Sequence, residues 1–191
     1  MNNPIPPKTI HLLSGGLDST VLLYALKDKG HTLHALFFDY GQPQLAQERL
    51  QSEHHAAALK VKRSVITTQI RARPGTPIVP NRNACFLSLA ANLAISANAD
   101  LISIGCCRED AATFADCREE FIANFNAMLR ANHESVTVIA PLINTSKEEI
   151  YSTARALGIA DATWSCYRGG AQPCGECLAC TTHEAARRAN D

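Results

Sequence analysis

Seven residues, Ser14-Gly-Gly-Leu-Asp-Ser-Thr20, limit what this chain can become more than any other stretch. The apolar run before them, Lys8-Thr-Ile-His-Leu-Leu13, predicts a short buried strand. The run after them, residues 21–29, predicts a helix with Val21, Leu22, Ala25 and Leu26 on one face and Gly30 as its stop. A loop so placed turns free backbone N–H groups and the positive end of a helix dipole toward an anion. Two adjacent glycines let main chain approach that anion, and two serines add hydroxyl donors. A phosphate-bearing ligand is the economical expectation.

A Walker A loop requires a lysine directly after its last glycine, and Lys27 lies too far along the helix. The dinucleotide fingerprint requires three spaced glycines rather than two in tandem. What remains, Ser-Gly-Gly-x-Asp-Ser, resembles the pyrophosphate loop of the ATP pyrophosphatases, which split ATP between its α and β phosphates.

Further strands are expected at 32–39, 62–67, 101–105 and 136–140, with helices at 44–59, 81–97, 118–130 and from Thr145 or Ser146 to Gly158. Either Thr145 with Glu148 or Ser146 with Glu149 has capping-box spacing. Phe86, Leu89, Ala90, Leu93 and Ala97 are expected inward on one helix; Phe121, Phe125 and Met128 on the next; Ile150, Ala154 and Leu157 on the last. His54 and His55 are expected in solvent. Residues 68–80, with prolines at 74, 77 and 80, read as a loop and candidate lid. Strands alternating with helices imply an α/β fold, a doubly wound parallel five-stranded sheet over residues 1–160.

Past Trp164 the sequence changes character. Cys166, Cys174, Cys177 and Cys180 stand as C-x7-C-x2-C-x2-C among glycines and prolines, in a segment (161–191) too poor in apolar residues to build a core. Four thiolates suit a closed structural Zn2+ site whose binding supplies the missing folding free energy. An iron–sulfur cluster is the competing metal. No apolar run has signal-peptide or membrane-spanning length, so the cytoplasm is expected, and there eight cysteines argue for metal rather than disulfides. Cys85 reads as an apolar filler, and Cys106, Cys107 and Cys117 have no neighbouring histidine to make one a nucleophile. Lys+Arg and Asp+Glu are equal at 18 each, which weighs against nucleic acid as a partner.

Taken together, these stretches resemble the 7-cyano-7-deazaguanine synthase (QueC) family of queuosine biosynthesis, within the superfamily whose fold is adenine nucleotide alpha-hydrolase-like. The resemblance is carried by Ser14–Thr20, Phe38-Asp-Tyr-Gly-Gln42, Val79-Pro-Asn-Arg-Asn83 with Phe86-Leu-Ser-Leu, Asp116-Cys-Arg118 with Glu120-Phe-Ile, Ala140-Pro-Leu with Lys147-x-Glu-Ile150, and Thr163-Trp-Ser-Cys-Tyr167 leading into the cysteines. It implies an ATP- and Mg2+-dependent ligase that joins ammonia to 7-carboxy-7-deazaguanine and yields the nitrile, working as a homodimer.

On that resemblance Leu13, Ser14, Gly15, Gly16, Leu17, Asp18, Ser19 and Thr20 would bind ATP. Asp18 either orients the loop or a magnesium-bound water, or complements the helix dipole. Arg82 and Asn83 would face phosphate or carboxylate charge. Lys147 would approach phosphates or stay solvated. Asp39 and Asp116 are candidates for the guanine-like edge, and Arg118 for pairing with Asp116 or holding the substrate carboxylate. Pro43 and Gln44 replace the family's Arg-His, Ala115 its proline, Cys107 its asparagine and His183 an arginine. These departures cluster on the substrate side, so a reaction stopping at the amide, another acceptor, or a tRNA-thiolating relative stays open.

Overall fold

The computed structural model describes residues 5–76 and 78–190; residues 1–4, Pro77 of the proline-rich loop, and residue 191 lie outside the described set. Five parallel strands, β1 (Lys8–Leu12), β2 (Thr32–Asp39), β3 (Lys62–Thr67), β4 (Leu101–Ser103) and β5 (Thr137–Ile139), stand in the order β3-β2-β1-β4-β5. The order reverses at β1, whose neighbours are β2 and β4. The crevice at a parallel sheet's carboxyl edge opens at such a reversal. The expected five-stranded α/β sheet is therefore present.

Alternation along β1 feeds two cores. Ile10 and Leu12 join Leu36, Phe38, Ile102 and Val138 beneath α3 (Arg82–Ser96) and α5 (Glu119–Ala131). Leu13, Leu33 and Ala35 pack on the other face against Leu22, Leu23 and Leu26 of α1 (Leu17–Asp28) and Ala56 of α2 (Leu45–Ala58). On that second face Leu17 and Val21 also meet Ile150, Tyr151 and Ala154 of α6 (Lys147–Ala156), and Ala186 of α7 (Leu178–Arg188) joins them. Among the described residues, no helix is long and apolar enough to cross a membrane.

Several inward faces differ from expectation by about one position. In α3 the buried stripe is Phe86, Leu87, Ala90, Ala91 and Ala94, and Leu89 is exposed. In α5 it is Ile122, Phe125 and Leu129, with Met128 exposed. In α6 Tyr151 is buried and Leu157 exposed. Each of these helices carries more apolar residues than its face can hold, so periodicity alone leaves the rotation underdetermined. The capping box on α6 is the Ser146–Glu149 choice: the Glu149 amide donates to Ser146 Oγ at 3.1 Å, and the Ser146 amide to Glu149 Oε2 at 2.7 Å. Gly158, at φ +68°, ends the helical run. Between β4 and α5, where the sequence predicts neither strand nor helix, the chain holds α4 (Arg108–Thr113) and a 3₁₀ turn at Ala115–Cys117.

His55 is corrected outright. It is fully buried, its Nε2 lies 2.6 Å from the Ala162 carbonyl oxygen and its Nδ1 3.3 Å from the Tyr24 hydroxyl. A polar, alanine-rich helix gave no sign that one of its histidines meets a segment from the far end of the chain.

Candidate active site at the sheet's carboxyl edge

The loop between β1 and α1 is wired within itself. Ser14 Oγ and Ser19 Oγ lie 3.0 Å apart, the Ser14 amide donates to Ser19 Oγ at 3.3 Å, and the Gly16 amide to Ser14 Oγ at 3.2 Å. Gly15 stands at φ +82°, and a Cβ there would meet the Glu48 carbonyl oxygen and the Ser52 amide, both at 2.7 Å. Only glycine satisfies that backbone and that gap. Gly105, after β4, is similarly hemmed in: a Cβ would stand 2.9 Å from the Ser19 amide. The first turn of α1 thus sits directly over the reversal between β1 and β4, its amide end open to an anion. The side chains of Leu13, Leu17, Ser19 and Thr20 are all buried in the fold.

Beneath this turn, His11 bridges two strands and a helix. Its Nε2 lies 2.8 Å from the Ser19 carbonyl oxygen and its Nδ1 2.8 Å from Ser103 Oγ. Burial lowers its pKa to about 4, so the ring is neutral at pH 7. The carbonyl can only accept, so Nε2 carries the proton and Nδ1 accepts from the serine hydroxyl.

Lys147, at the start of α6, reaches the loop. Its Nζ lies 2.6 Å from Asp18 Oδ2, with both side chains largely buried. Burial raises the Asp18 pKa and the nearby Asp110 raises it further, while Lys147 opposes both. Lys147 stays charged: Asp18, Asp110 and Cys107 outweigh the desolvation of its ammonium. The other Asp18 oxygen, Oδ1, is buried without a hydrogen-bond partner. Ligand atoms of Asp18, Cys107 and Asp110 all lie within 4.8 Å of one another. A divalent cation fits a poorly solvated carboxylate with an oxygen left over, so Asp18 with Asp110 can hold Mg2+. Cys107 is a weak contributor to such a hard-ion site, because burial pushes its thiol up to about 12.

Across the crevice the wiring is by side chains. Gln42 Nε2 donates to Glu48 Oε2 at 2.8 Å and Gln44 Nε2 to Glu48 Oε1 at 3.3 Å. Burial raises the Glu48 pKa against those bonds and against the charge of Arg82. Burial disfavours the Arg82 cation, yet Tyr40, Cys117 and Glu48 outweigh it and hold the guanidinium charged. Tyr167, half-buried just beyond the first cysteine, lies within electrostatic reach of Asp110, Arg82 and Lys147; burial is the main cause of its raised pKa. Arg82 and Lys147, from two other parts of the chain, thus both lie within electrostatic reach of Tyr167.

The remaining sequence candidates are engaged elsewhere. Asp39 accepts from Arg49 Nη2 at 2.9 Å and from the Gly41 amide at 3.3 Å. Asp116 Oδ2 accepts from the Asn83 amide at 3.1 Å, and Asn83 Nδ2 donates to the Asp116 carbonyl and to Cys117 Sγ. That latch fixes the start of α3, and with it Arg82. Arg118 donates to the Ala111 carbonyl at 2.9 Å. Glu48 and Tyr167 belong to this network and are not among the residues expected from the sequence. Glu48 alone carried a readable signal, a carboxylate on the first turn after a strand's carboxyl end.

The four sulfurs of Cys166, Cys174, Cys177 and Cys180 lie within 4.8 Å of one another, so the cluster can hold a metal. Main-chain amides point at them: those of Arg168 and Cys174 at Cys166 Sγ, and that of Cys177 at Cys174 Sγ, each at 3.4 Å. Such N–H···S contacts are the outer-shell bonds that orient sulfur ligands around a metal. The indole N–H of Trp164 donates to the Cys166 carbonyl at 2.9 Å, and the ring packs on Cys166 and Cys180.

The sequence profile of a family described as queuosine biosynthesis protein QueC matches residues 8–76 and 71–190. A curated relative from a Nitratiruptor species, named 7-cyano-7-deazaguanine synthase, is 33% identical over 199 residues, spanning 91% of this chain and 90% of the relative. Among solved structures, NMN synthetase from Francisella tularensis superposes with a TM-score of 0.53 at 16% identity, covering 98% of this chain and 78% of that one. The U34-tRNA thiolase NcsA from Methanococcus maripaludis, solved with its [4Fe-4S] cluster, gives 0.52 at 16% identity, covering 96% of this chain and 65% of that one. At such identities the two structures speak for the fold.

Proposed function

The chain belongs to the QueC family of queuosine biosynthesis proteins, and from that premise we propose an ATP-dependent carbon–nitrogen ligase that converts 7-carboxy-7-deazaguanine and ammonia to 7-cyano-7-deazaguanine. The carrying observation is the phosphate loop at the sheet reversal, with Lys147 paired to its Asp18 and with Tyr167 in electrostatic reach of Lys147 and Arg82.

A carboxylate resists ammonia because its carbon is electron-rich and its oxygens leave poorly. Attack of a carboxylate oxygen on the α-phosphorus of ATP forms an acyl adenylate and expels pyrophosphate. The amides of Gly15, Gly16, Leu17 and Asp18 and the hydroxyls of Ser14 and Ser19 grip that pyrophosphate. Ammonia then adds to the carbonyl carbon, and AMP leaves with the C–O bond electrons to give the amide. A second adenylation, on the amide oxygen, lets AMP leave again as the nitrogen loses its protons, which gives the nitrile.

Arg82 holds the acceptor's carboxylate beside the α-phosphate, and Lys147 offsets charge on the phosphates once ATP draws it from Asp18. Mg2+ held by Asp18 and Asp110 would supply further charge neutralisation at the phosphates. We assign Zn2+ to the four cysteines as a structural ion, and residues 161–191 to an appendage on the nucleotide-binding unit of residues 1–160. The assembly we expect is a homodimer, which light scattering checks.

Incubation with ATP, Mg2+, ammonium and 7-carboxy-7-deazaguanine, followed by mass spectrometry, tests the reaction. The nitrile is the expected product. Amide alone would shorten the reaction by its second half, consistent with Pro43, Gln44 and Cys107 lying where the family carries other residues. A preparation that releases no pyrophosphate with this acid would sink the proposal.

A further inference from the structure

The cysteine segment touches the phosphate loop through main chain. The Trp164 amide donates to the Gly15 carbonyl at 2.9 Å, and the Trp164 carbonyl lies 3.4 Å from where a Cβ on Gly16 would stand. Both tandem glycines are thus held from one side by the same residue. Trp164 is itself held by the cysteine cluster, through the indole bond to the Cys166 carbonyl and the packing on Cys166 and Cys180. Two further ties close the junction. Gln47 Nε2 donates to the Gly170 carbonyl at 3.0 Å, and Gly169, at φ +68°, fits against the Pro43 carbonyl with no space for a side chain. α2 therefore presses on Gly15 from one side while also bonding the cysteine segment.

We infer that a metal bound by Cys166, Cys174, Cys177 and Cys180 sets the shape of the phosphate loop through Trp164, so that metal and nucleotide bind with positive coupling. Trp164 packs with the cysteines, so without the ion the support on its C-terminal side loosens and its amide is held chiefly by the His55–Ala162 bond just before it. A loop that has lost its partner at the Gly15 carbonyl must be reordered by the ligand, and ordering weakens binding. Trp164 acts here as a positioning residue. The inference rests on reading residues 14–20 as the nucleotide loop.

Because coupling is reciprocal, it can be measured from both ends. Calorimetry with a non-hydrolysable ATP analogue compares the zinc-loaded protein with protein stripped by a chelator and shown by circular dichroism to keep its fold. The expected result is about tenfold weaker binding after stripping, within the usual span of such couplings. In the loaded protein, saturating analogue should raise the apparent zinc affinity by the same factor in equilibrium competition with a zinc-selective chelator. That arm also serves if the stripped protein unfolds. Trp164, the chain's single tryptophan, gives a third readout, since its emission should shift when the analogue binds the loaded form. Equal analogue affinity with and without metal, or a zinc affinity unmoved by the analogue, would overturn the coupling while leaving the loop assignment intact. Loaded protein that binds no analogue would remove the loop assignment and the coupling together.

Discussion

The two walls of the crevice are built differently. The nucleotide wall is main chain: consecutive residues from Ser14 to Ser19 bond one another and present amides. The wall that the proposed function gives to the acceptor is side chain: Tyr40, Glu48, Arg82 and Tyr167 lie in one electrostatic network. Amide groups do not vary with sequence, so the first wall tolerates change only where geometry allows. The second can be retuned residue by residue, and Gln44, which departs from the family pattern, is bonded into its network through Glu48.

The sharpest break of this contrast is Gly15→Ala. The positive φ and the two 2.7 Å gaps leave no relaxed place for a methyl group. Pyrophosphate release should fall roughly a hundredfold or more, as for a displacement of order 1 Å in a reacting assembly. Near-normal turnover would show that the loop is not held as described. Next is Lys147→Met, which leaves Asp18 buried without its partner. Urea unfolding should show a loss of about 3 kcal/mol, and a change under 1 kcal/mol would mean the pair is solvated.

His11 tests the floor beneath the nucleotide wall. Its folded pKa of about 4 lies below the ordinary 6.5, so between those values the unfolded chain binds more protons than the native one. Its contribution is full above pH 6.5 and falls as the pH drops toward 4, by at most roughly 3 kcal/mol. The variant His11→Gln should flatten that part of the stability–pH curve. On the acceptor wall, Glu48→Gln removes the charge beside Arg82 but keeps the shape. The KM for the deazapurine acid should change about tenfold while that for ATP moves little. Equal effects on both would merge the two walls into one. Smallest is Arg49→Ala, an exposed partner of Asp39, worth about 0.5 kcal/mol or less by thermal unfolding.

This difference also explains what could be read in advance. Ser14–Thr20 and the four cysteines were legible because neighbours in sequence cooperate there, and spacing alone states the chemistry. The sheet followed from alternating strands and helices. Asp39, Asp116 and Arg118 looked like substrate ligands by position, yet their hydrogen bonds run to Arg49, Asn83 and Ala111. Glu48 and Tyr167 gain meaning only from long-range packing. His55 failed for the same reason, since its partner carbonyl at Ala162 is far along the chain.

The order of the strands also carries a temporal consequence. Strand β1 reaches β2 across the single helical crossover of α1, whereas β4 is separated from it by most of the first half of the chain, and such distant pairings form late. The Trp164–Gly15 contact spans a longer separation still. A nascent chain can therefore assemble β1, β2 and β3 early, yet the Gly15 loop gains its Trp164 partner only once the residues beyond Gly158 have docked. The loop's last neighbour arrives at the end of folding rather than with the motif itself.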